Sequence, residues 1–361
     1  MKINYTLSGV NISEGDHASE KAYSNAKTTF PVRKGKKGEP FALDGGFTGA
    51  LDMGDYLLVQ NDDGTGTKTE IAERMSKYDT IGEDLACMVL DDAICVGAEV
   101  ISLTNTFDVS QIDISVIDQM TQGLARVCAR EQVVILGGEI AEVGTAVHRI
   151  VWNATAVGIV KKEKFITGKE IQKGQKIVGL RGRVLRSNGI SLARKICEMQ
   201  FGPLWHKAEW KNGISWGEIL LTPSKIFHRL LLDTILGDFE TPRIFPISGV
   251  IHITGGGIPG NVPRLFSDPK MGARFFNLHD PHDAVRDLQK LGDIDEEECY
   301  QTWNCGTALM IVCYEEIAEK ICTALRKADN ECDAKIVGEI TKTGTIEMSS
   351  RFSGKKLLFP V

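Results

Sequence analysis

The sequence lacks the features that mark several protein classes. No apolar run in its 361 residues approaches the ~20 residues of a membrane span, and the N-terminus carries no apolar signal segment. No basic block is present, and 42 Lys and Arg stand against 48 Asp and Glu, a net charge of −6. The nine cysteines form no CxxC pair, which is typical of reduced thiols. These absences predict a soluble cytoplasmic protein and argue against a membrane or a nucleic acid as its partner.

What the chain does contain is the composition of a globular protein, with 42% hydrophobic and 25% charged residues. Its length suits two or three domains of about 150 residues each. Strand and helix patterns alternate from residue 56, which predicts α/β domains over 56–168 and 169–361. One helix of the second domain is predicted to begin at Thr222-Pro223 and to run to about residue 236. Residues 1–55 are rich in glycine and lysine, which favours a mobile segment able to close over a ligand.

A polar corner follows the apolar strand predicted at Tyr56–Val59. Asp63, Gly64, Gly66 and Lys68 come directly after that strand. The two glycines allow backbone N–H groups to approach a phosphate, Asp63 can reach Mg²⁺, and Lys68 can neutralise phosphate oxygens. The corner is not a Walker loop, because GxxxxGK[ST] is absent from the chain. The alternative interpretation is a Gly/Asp hairpin turn.

Further acidic side chains are candidate metal ligands. On the helix predicted over 80–96, Asp84 and Asp91 are seven residues apart and share a face, with Asp92 beside them. Acids next to apolar packing need partners, for which Mg²⁺ is the candidate, and a solvated acidic face is the alternative. Glu139 follows the next strand and two glycines, so it is either a ligand of a metal or polar substrate or a turn residue facing water.

The second domain carries three further motifs. Ser187-Asn188-Gly189 opens a helix, where it either binds an anion or serves as a simple N-cap. His252 ends an apolar run before Gly255-Gly256-Gly257 and suits proton transfer, the alternative being a core histidine. Arg264 suits bidentate contact with a phosphate. Cys305 is better explained as a buried structural thiol than as a nucleophile.

In order and spacing, these strings resemble the phosphoribosylformylglycinamidine cyclo-ligase family, also called aminoimidazole ribonucleotide synthetases. The matching strings are Asp63-Gly-Thr-Gly-Thr-Lys68, Asp79-Thr-Ile-Gly82, Gly97-Ala-Glu99, Gly137-Gly-Glu139, Ser187-Asn-Gly189, Leu221-Thr-Pro223, His252-Ile-Thr-Gly-Gly-Gly257, Pro263-Arg264 and Asn304-Cys-Gly306. Each string is weak alone, whereas their joint order along nearly the whole chain is specific.

The resemblance implies a two-domain α/β subunit of the α+β type, in which each domain is a mixed sheet packed with helices. It implies a homodimer formed through the N-terminal domain sheets, with ATP and Mg²⁺ bound and K⁺ as a further candidate. The implied reaction converts formylglycinamidine ribonucleotide and ATP to aminoimidazole ribonucleotide, ADP and phosphate. ATP would phosphorylate the formyl amide oxygen, and the amidine nitrogen would then close the imidazole ring.

The resemblance and the residue types together define the expected site. We expect catalytic roles for His252, Lys68 and Asp63. The residues expected to contact ATP are Lys27, Gly45, Gly46, Phe47, Asp63, Gly64, Gly66, Thr67, Lys68, Asp92, Gly138 and Glu139. The expected metal ligands are Asp63, Asp91, Asp92 and Glu139. The residues expected to contact the ribonucleotide are Ser187, Asn188, Gly189, His252, Thr254, Gly255, Gly256, Asn261 and Arg264.

The sequence also departs from the family pattern, at Thr65, at residues 100–107 and 143–145, and at Arg186, where the family has a histidine. These departures leave the adenine contacts open. One alternative is another ATP-using enzyme of the same superfamily, such as thiamine-monophosphate kinase, selenide water dikinase or a hydrogenase maturation factor. A non-catalytic nucleotide-binding dimer is the alternative from a different functional class.

Overall fold

Two mixed β-sheets, each packed with helices, form the two halves of the computed structural model, which describes residues 12–41 and 46–361. The first sheet has the strand order β1-β2-β3-β6-β4-β5, in which β4 and β5 are parallel and the other neighbours antiparallel. Its strands are β1 (Glu39–Phe41), β2 (Gly49–Asp52), β3 (Tyr56–Gly64), β4 (Glu99–Val109), β5 (Val134–Glu142) and β6 (Ile150–Lys161). The helices of this half are α1 (Ile12–Lys27), α2 (Lys68–Met75), α3 (Ile81–Cys95) and α4 (Ile114–Glu131).

The second sheet has seven strands in the order β10-β12-β7-β13-β11-β14-β15. Its strands are β7 (Lys176–Arg181), β10 (Ile247–His252), β11 (Gly272–Phe275), β12 (Thr307–Cys313), β13 (Ala334–Thr341), β14 (Thr345–Ser349) and β15 (Lys356–Pro360), and a separate hairpin pairs β8 (Glu209–Lys211) with β9 (Ile214–Ser215). The helices are α5 (Ile190–Phe201), α6 (Trp216–Leu220), α7 (His228–Leu231), α8 (Gly257–Asn261), α9 (Asp283–Leu291), α10 (Glu296–Thr302) and α11 (Glu315–Ala328).

The first sheet has one covered face and one open face. Along β4, Leu103, Asn105 and Phe107 are buried while Thr104 and Thr106 are exposed, because successive side chains of a strand point to opposite faces. The buried face is covered by α3 and α4, which pack against each other and against strands of this sheet. A residue's place in the alternation therefore decides whether it faces the helices or the open side.

Helix α3 lies at the seam between the two halves. Nearly all of its residues are buried, and it contacts β3 and β6 of the first sheet as well as β10 and α7 of the second half. Its approach to α4 requires Gly82, where an added Cβ would lie 2.3 Å from the backbone nitrogen of Leu124. Polar side chains on α3 therefore need partners from the elements packed around it, in both halves of the chain.

The N-terminal region has more secondary structure than its glycine and lysine content predicts. Ile12–Lys27 form α1, on which the described side chains are exposed, and β1 and β2 extend the edge of the first sheet. Gly45, one of the residues expected to contact ATP, lies outside the described residues.

The helix predicted to begin at Thr222-Pro223 is wrong over its first six residues. Helix begins only at His228, in α7, and continues as a π-helical turn over Leu232–Leu236. The backbone of 222–227 bonds instead to buried side chains: the Thr222 carbonyl accepts from Lys68 Nζ at 2.7 Å, and the Phe227 amide donates to Asp91 Oδ1 at 2.9 Å. These tertiary bonds override the local helix signal.

The predicted fold class is confirmed, since each half is a mixed sheet packed with helices. The boundaries at 55 and 168 stay predictions. Within the described ranges, none of the helices combines the length and the apolar character that crossing a membrane requires.

Candidate active site

The centre of the candidate site is a histidine–aspartate pair that joins the two halves. His252, the last residue of β10, places its Nδ1 2.7 Å from Oδ1 of Asp92 on α3. Both side chains are largely buried, and His252 Nε2 has no hydrogen-bond partner among the described residues. Burial, followed by the nearby charge of Arg186, holds the pKa of His252 well below its usual range. The imidazole is therefore neutral at pH 7, with one nitrogen fixed and the other unpaired.

Two more unpaired polar atoms lie in the Ser187-Asn188-Gly189 loop. Ser187 Oγ and Asn188 Oδ1 are buried and have no partner in the described chain. The interpretation of this loop as a simple side-chain cap is wrong, because the N-cap of α5 is Gly189, in the left-handed conformation. Unpaired buried polar atoms cost free energy unless a ligand satisfies them, so these two atoms keep the loop a candidate binding segment.

The turn after β3 lies against this loop. An added Cβ at Gly66 (φ +55°) would be 3.8 Å from the Ser187 carbonyl oxygen, and Thr67 Oγ1 is 3.0 Å from Ser191 Oγ. At Gly64 an added Cβ would come within 2.1 Å of Asn153 Oδ1 and 3.0 Å of the Trp152 carbonyl oxygen, so a larger residue would displace the Asn153 side chain. The structure thus brings together the first corner and the Ser187 motif, which are more than a hundred residues apart in sequence.

Asp63 and Asp92 lie close enough for their charges to interact. Burial raises the pKa of Asp63 to about 6, against a hydrogen bond from the Gly64 amide at 2.7 Å, and the charge of Asp92 raises it further. Burial also raises the pKa of Asp92 to about 7, while the charges of Arg264 and Arg186 oppose that rise. A divalent cation would relieve the repulsion between two such carboxylates.

Lys68 does not face the cleft. Its side chain is completely buried, and Nζ donates to Asp84 Oδ1 at 2.8 Å and to the Thr222 carbonyl at 2.7 Å. Asp84 Oδ1 also accepts from the amide and hydroxyl of Ser224. These contacts favour a structural role for Lys68 over the expected contact with phosphate, because its charge is already neutralised.

Asp91 is likewise engaged elsewhere. Its carboxylate pairs with the buried Arg186 guanidinium and accepts from the Phe227 amide. Arg186 also donates to the Lys225 carbonyl at 2.8 Å and contacts Cys87 Sγ at 2.7 Å. With both oxygens used, Asp91 is not available as a metal ligand in this structure, and of the two adjacent aspartates Asp92 belongs to the site.

Glu139 and Gly138 lie apart from Asp63. Across the sheet, Glu139 is opposite Thr106 on β4, Thr106 is opposite Asn153 on β6, and Asn153 is opposite Gly64 on β3. Glu139 is therefore three strands away from Gly64, a distance of about 14 Å. It shares the open face with Thr106, whereas Asp63 is on the helix-covered face. Glu139 therefore does not join Asp63 around one ion within a single chain. Across the described residues, no group of three or more His, Cys, Asp or Glu side chains is placed to hold a metal.

The remaining expected residues fall into two groups. Thr254, Gly255 and Gly256 follow His252, and an added Cβ at Gly255 would lie 3.8 Å from Asn188 Nδ2, so this turn adjoins the Ser187 loop. Asn261 Nδ2 is used within its own loop, donating to the Gly255 and Gly257 carbonyls.

The second group involves the N-terminal segment. Arg264 stacks on the Phe47 ring, 4.1 Å from its centroid, and donates to the Gly46 carbonyl at 3.2 Å. The structure thus places residues 46 and 47 against the second half beside the site. Lys27 is on exposed α1, with Nζ 4.8 Å from the centre of the Tyr23 ring, and is not brought to this group.

Sequence reasoning missed the partnership between Asp92 and His252, and the roles of Arg186, Ser224 and Phe227 in holding α3. A hint was available in the adjacent Asp91-Asp92 pair: neighbouring helix residues point in different directions, so one could face β10 while the other faced residues 222–227. Cys305 is buried, with Sγ 3.4 Å from the Cys299 carbonyl, in agreement with a structural thiol.

Comparison with known proteins identifies the family. The models of AIR synthase related protein match residues 46–160 (N-terminal domain) and 172–350 (C-terminal domain). The phosphoribosylformylglycinamidine cyclo-ligase of Methanocaldococcus jannaschii is 33% identical over 338 residues, which cover 94% of this chain and 92% of that protein. The Sorangium cellulosum protein of the same name is 31% identical over 358 residues, 97% of this chain and 99% of that protein.

Solved structures agree on the fold. Hydrogenase maturation protein HypE in complex with ATP superposes with a TM-score of 0.62 at 15% identity, covering 84% of this chain and 85% of that one. T. maritima PurL complexed with FGAR gives 0.61 at 18% identity, covering 88% and 47%. The resemblance seen in the sequence is confirmed: this chain belongs to the AIR synthase related family, together with the enzymes named phosphoribosylformylglycinamidine cyclo-ligase.

Proposed function

We propose that the protein is an ATP-dependent cyclo-ligase that closes the imidazole ring of aminoimidazole ribonucleotide in purine biosynthesis. The names of its full-length relatives support this reaction. The structural observation that carries it is the neutral His252, fixed by Asp92 and unpaired at Nε2, beside the unpaired polar atoms of Ser187 and Asn188. These groups supply a base and a polar cradle, which the proposed ring closure requires.

In the proposed reaction, the formyl amide oxygen attacks the γ-phosphorus of ATP and ADP leaves. The neighbouring amidine nitrogen then attacks the activated carbon, one N–H proton is removed, and phosphate departs with the former amide oxygen. His252 Nε2 takes that proton, because its depressed pKa keeps it unprotonated, and Asp92 stabilises the resulting imidazolium. Phosphoryl transfer itself needs positioning and charge neutralisation more than a nucleophilic side chain.

Mg²⁺ and the triphosphate fit the first corner. Mg²⁺ usually binds one or two carboxylates together with substrate phosphates and water, so Asp63 with Asp92 nearby suffices without a third ligand. When bound, the ion would neutralise charge on the phosphates. Gly66, where an added Cβ would meet nothing nearer than the Ser187 carbonyl oxygen at 3.8 Å, leaves room for a phosphate oxygen next to the backbone. K⁺ remains a predicted cofactor with no residues assigned to it.

We also infer that the protein is a homodimer formed through the open face of its first sheet. Val134 and Val151 on that face are 56% and 40% exposed, which favours burial against a second copy. A Val151→Asp variant should then elute as a monomer where the unmodified protein elutes as a dimer. The nine free, buried cysteines support a reducing, cytoplasmic location.

The test of the proposed function is product formation. Purified protein with formylglycinamidine ribonucleotide and Mg-ATP should yield aminoimidazole ribonucleotide and ADP in equal amounts. If ATP binds but ADP is released without the ring product, another ATP-using activity of the superfamily replaces the proposal. If neither product appears although ATP binds, the protein is a nucleotide-binding member without this catalysis.

A further inference from the structure

A cavity in the second half of the chain collects positive charge outside the candidate active site. It measures about 370 Å³, and Arg181, Arg183, Lys225 and His282 in its walls define the basic pocket. One acidic residue, Glu331, also lines the cavity. Neither His252 nor Asp63, both in the described part of the chain, is among the residues lining it. An acidic protein with a net charge of −6 has thus gathered three cations around one cavity.

Both arginines retain donors for a ligand. Arg181 is 3.6 Å from Asp333, while Arg183 is 3.6 Å from Glu331 and 3.9 Å from Glu83. These separations exceed hydrogen-bond length, and the Glu331 side chain is 72% exposed, so the pairs are weak. The guanidinium contacts with the carbonyls of Asp280 and Pro223 are 3.5 Å long and also weak.

The other two polar groups are held in place. Lys225 is nine-tenths buried, and Asp329 holds its Nζ at 2.7 Å. His282 Nδ1 accepts from the Ala284 amide at 3.1 Å, which leaves the proton on Nε2 as a donor. Arg181 and His282 are thus carried at the end of β7 and the start of α9. Arg183 and Lys225 lie on loops, the second of which is held by the ion pair with Asp329.

We propose that the basic pocket binds a small phosphorylated anion. A phosphate group carries between one and two negative charges near neutral pH and three acceptor oxygens, which match two planar guanidinium forks and an ammonium. Free phosphate and the phosphoryl group of a sugar phosphate or nucleotide share this chemistry.

The basic pocket adjoins the segment that holds α3. Thr222 lines it, and the Thr222 carbonyl accepts from Lys68. The Lys225 carbonyl accepts from Arg186, and Ser224 donates to Asp84. An anion that draws Arg183 and Lys225 towards itself therefore acts on the segment 222–227. That segment holds in place the two buried ion pairs of α3, those of Asp84 and Asp91.

Arginine modification tests the proposal without any assay of activity. The full-length protein is treated with phenylglyoxal in phosphate or in chloride of equal ionic strength, and the rate at each arginine is read by peptide mass spectrometry. Phosphate at about ten times its dissociation constant should slow modification of Arg181 and Arg183 about tenfold. Arg274, also exposed and paired with a carboxylate, is the internal reference and should not change. Ribose 5-phosphate and ADP, tested in separate arms, distinguish free phosphate from organic phosphates.

A variant provides the second measurement. Lys225→Gln should raise the phosphate concentration needed for protection by about tenfold, because a charged hydrogen bond is lost. Lys356→Gln is the matched control, because it removes a lysine of the last strand that is also paired with a carboxylate, that of Glu347. It should leave the phosphate concentration needed for protection unchanged. The proposal is overturned if Arg181 and Arg183 react equally fast in phosphate and chloride, if Arg274 is protected equally, or if Lys225→Gln has no effect.

Discussion

Helix α3 carries two kinds of aspartate, and the contrast separates structure from function. Asp84 and Asp91 are completely buried, and each has a cationic partner and a backbone amide donor from residues 224–227. Asp92 is largely buried too, but its partner is a neutral imidazole, and its pKa is raised to about 7. Asp84 and Asp91 therefore help to hold the two halves together. Asp92 is kept ready for a role in the site, and its burial without a cationic partner lowers the stability of the fold.

The same contrast extends to the neighbouring residues. Around Asp84 and Asp91 the segment 222–227 contributes carbonyls and amides that complete most of the bonding. Asp84 Oδ2 and Arg186 Nε are left without a partner among the described residues. The partner of Asp92, His252, has an unpaired Nε2, and in the loop that adjoins the turn after His252 the atoms Ser187 Oγ and Asn188 Oδ1 are unpaired as well. Native proteins satisfy buried polar groups, so a cluster of exceptions indicates where a ligand completes the bonding. Removing a group from the completed region should cost stability, and removing one from the unpaired region should cost activity.

The largest effect is expected for His252→Gln. Loss of the proposed base should lower kcat by about 10²–10⁴-fold, because general acid–base catalysis contributes that much. The binding of Mg-ATP, measured by calorimetry, should be nearly unchanged, since glutamine can still donate to Asp92. A variant that kept full turnover would exclude His252 as the base.

Lys68→Met tests the completed region. Removing the ammonium leaves Asp84 buried with an unpaired charge, so unfolding free energy should fall by about 3–5 kcal/mol. Denaturant titration measures the change. The double variant Lys68→Met/Asp84→Asn removes the charge and keeps an acceptor for Ser224, so it should recover part of the loss. If Lys68→Met instead unfolded normally but lost ATP affinity, Lys68 would contact phosphate, as the sequence predicted.

Whereas Lys68→Met should destabilise the fold, Asp63→Asn should stabilise the ligand-free protein at high pH. The pKa of Asp63 is about 6 in the folded chain against 3.8 ordinarily, so its favourable contribution is present below 3.8 and lost as pH rises through 6. Asparagine removes the charge, which should gain up to about 3 kcal/mol at pH 8 and nothing below pH 3.8.

Thermal unfolding at both pH values, with and without Mg-ATP, provides the measurement for Asp63→Asn. Mg-ATP should stabilise the unmodified protein and no longer stabilise the variant. Equal stabilisation of both proteins by Mg-ATP would remove Asp63 from the metal site.

The sequence predicted the parts of the molecule that local patterns determine. The strand expected from Tyr56 and the helix expected over 80–96 begin within one residue of those positions, as β3 and α3. Gly66 lies against the Ser187 loop, although the two are more than a hundred residues apart in sequence. What local patterns could not reveal was which cation each aspartate meets, because Lys68–Asp84 forms only when α2 packs on α3 and Arg186–Asp91 only when the two halves pack. The Thr222-Pro223 helix signal failed for the same reason.

The smallest effect in this comparison is expected for Gly189→Ala, which probes the boundary between the two regions. Gly189 has φ +70°, and an added Cβ would lie 2.3 Å from Trp303 Cδ1. Left-handed strain and overpacking should together cost about 1–3 kcal/mol of unfolding free energy. Because the Gly189 carbonyl also accepts from Trp303 Nε1 at 3.1 Å, the Ser187 loop should shift and KM for the ribonucleotide should rise while KM for ATP does not. Gly202→Ala, at the other end of α5 with similar φ and open space, is the matched control, and it should lower stability without changing either KM. Equal KM effects from both variants would show that this loop does not bind the ribonucleotide.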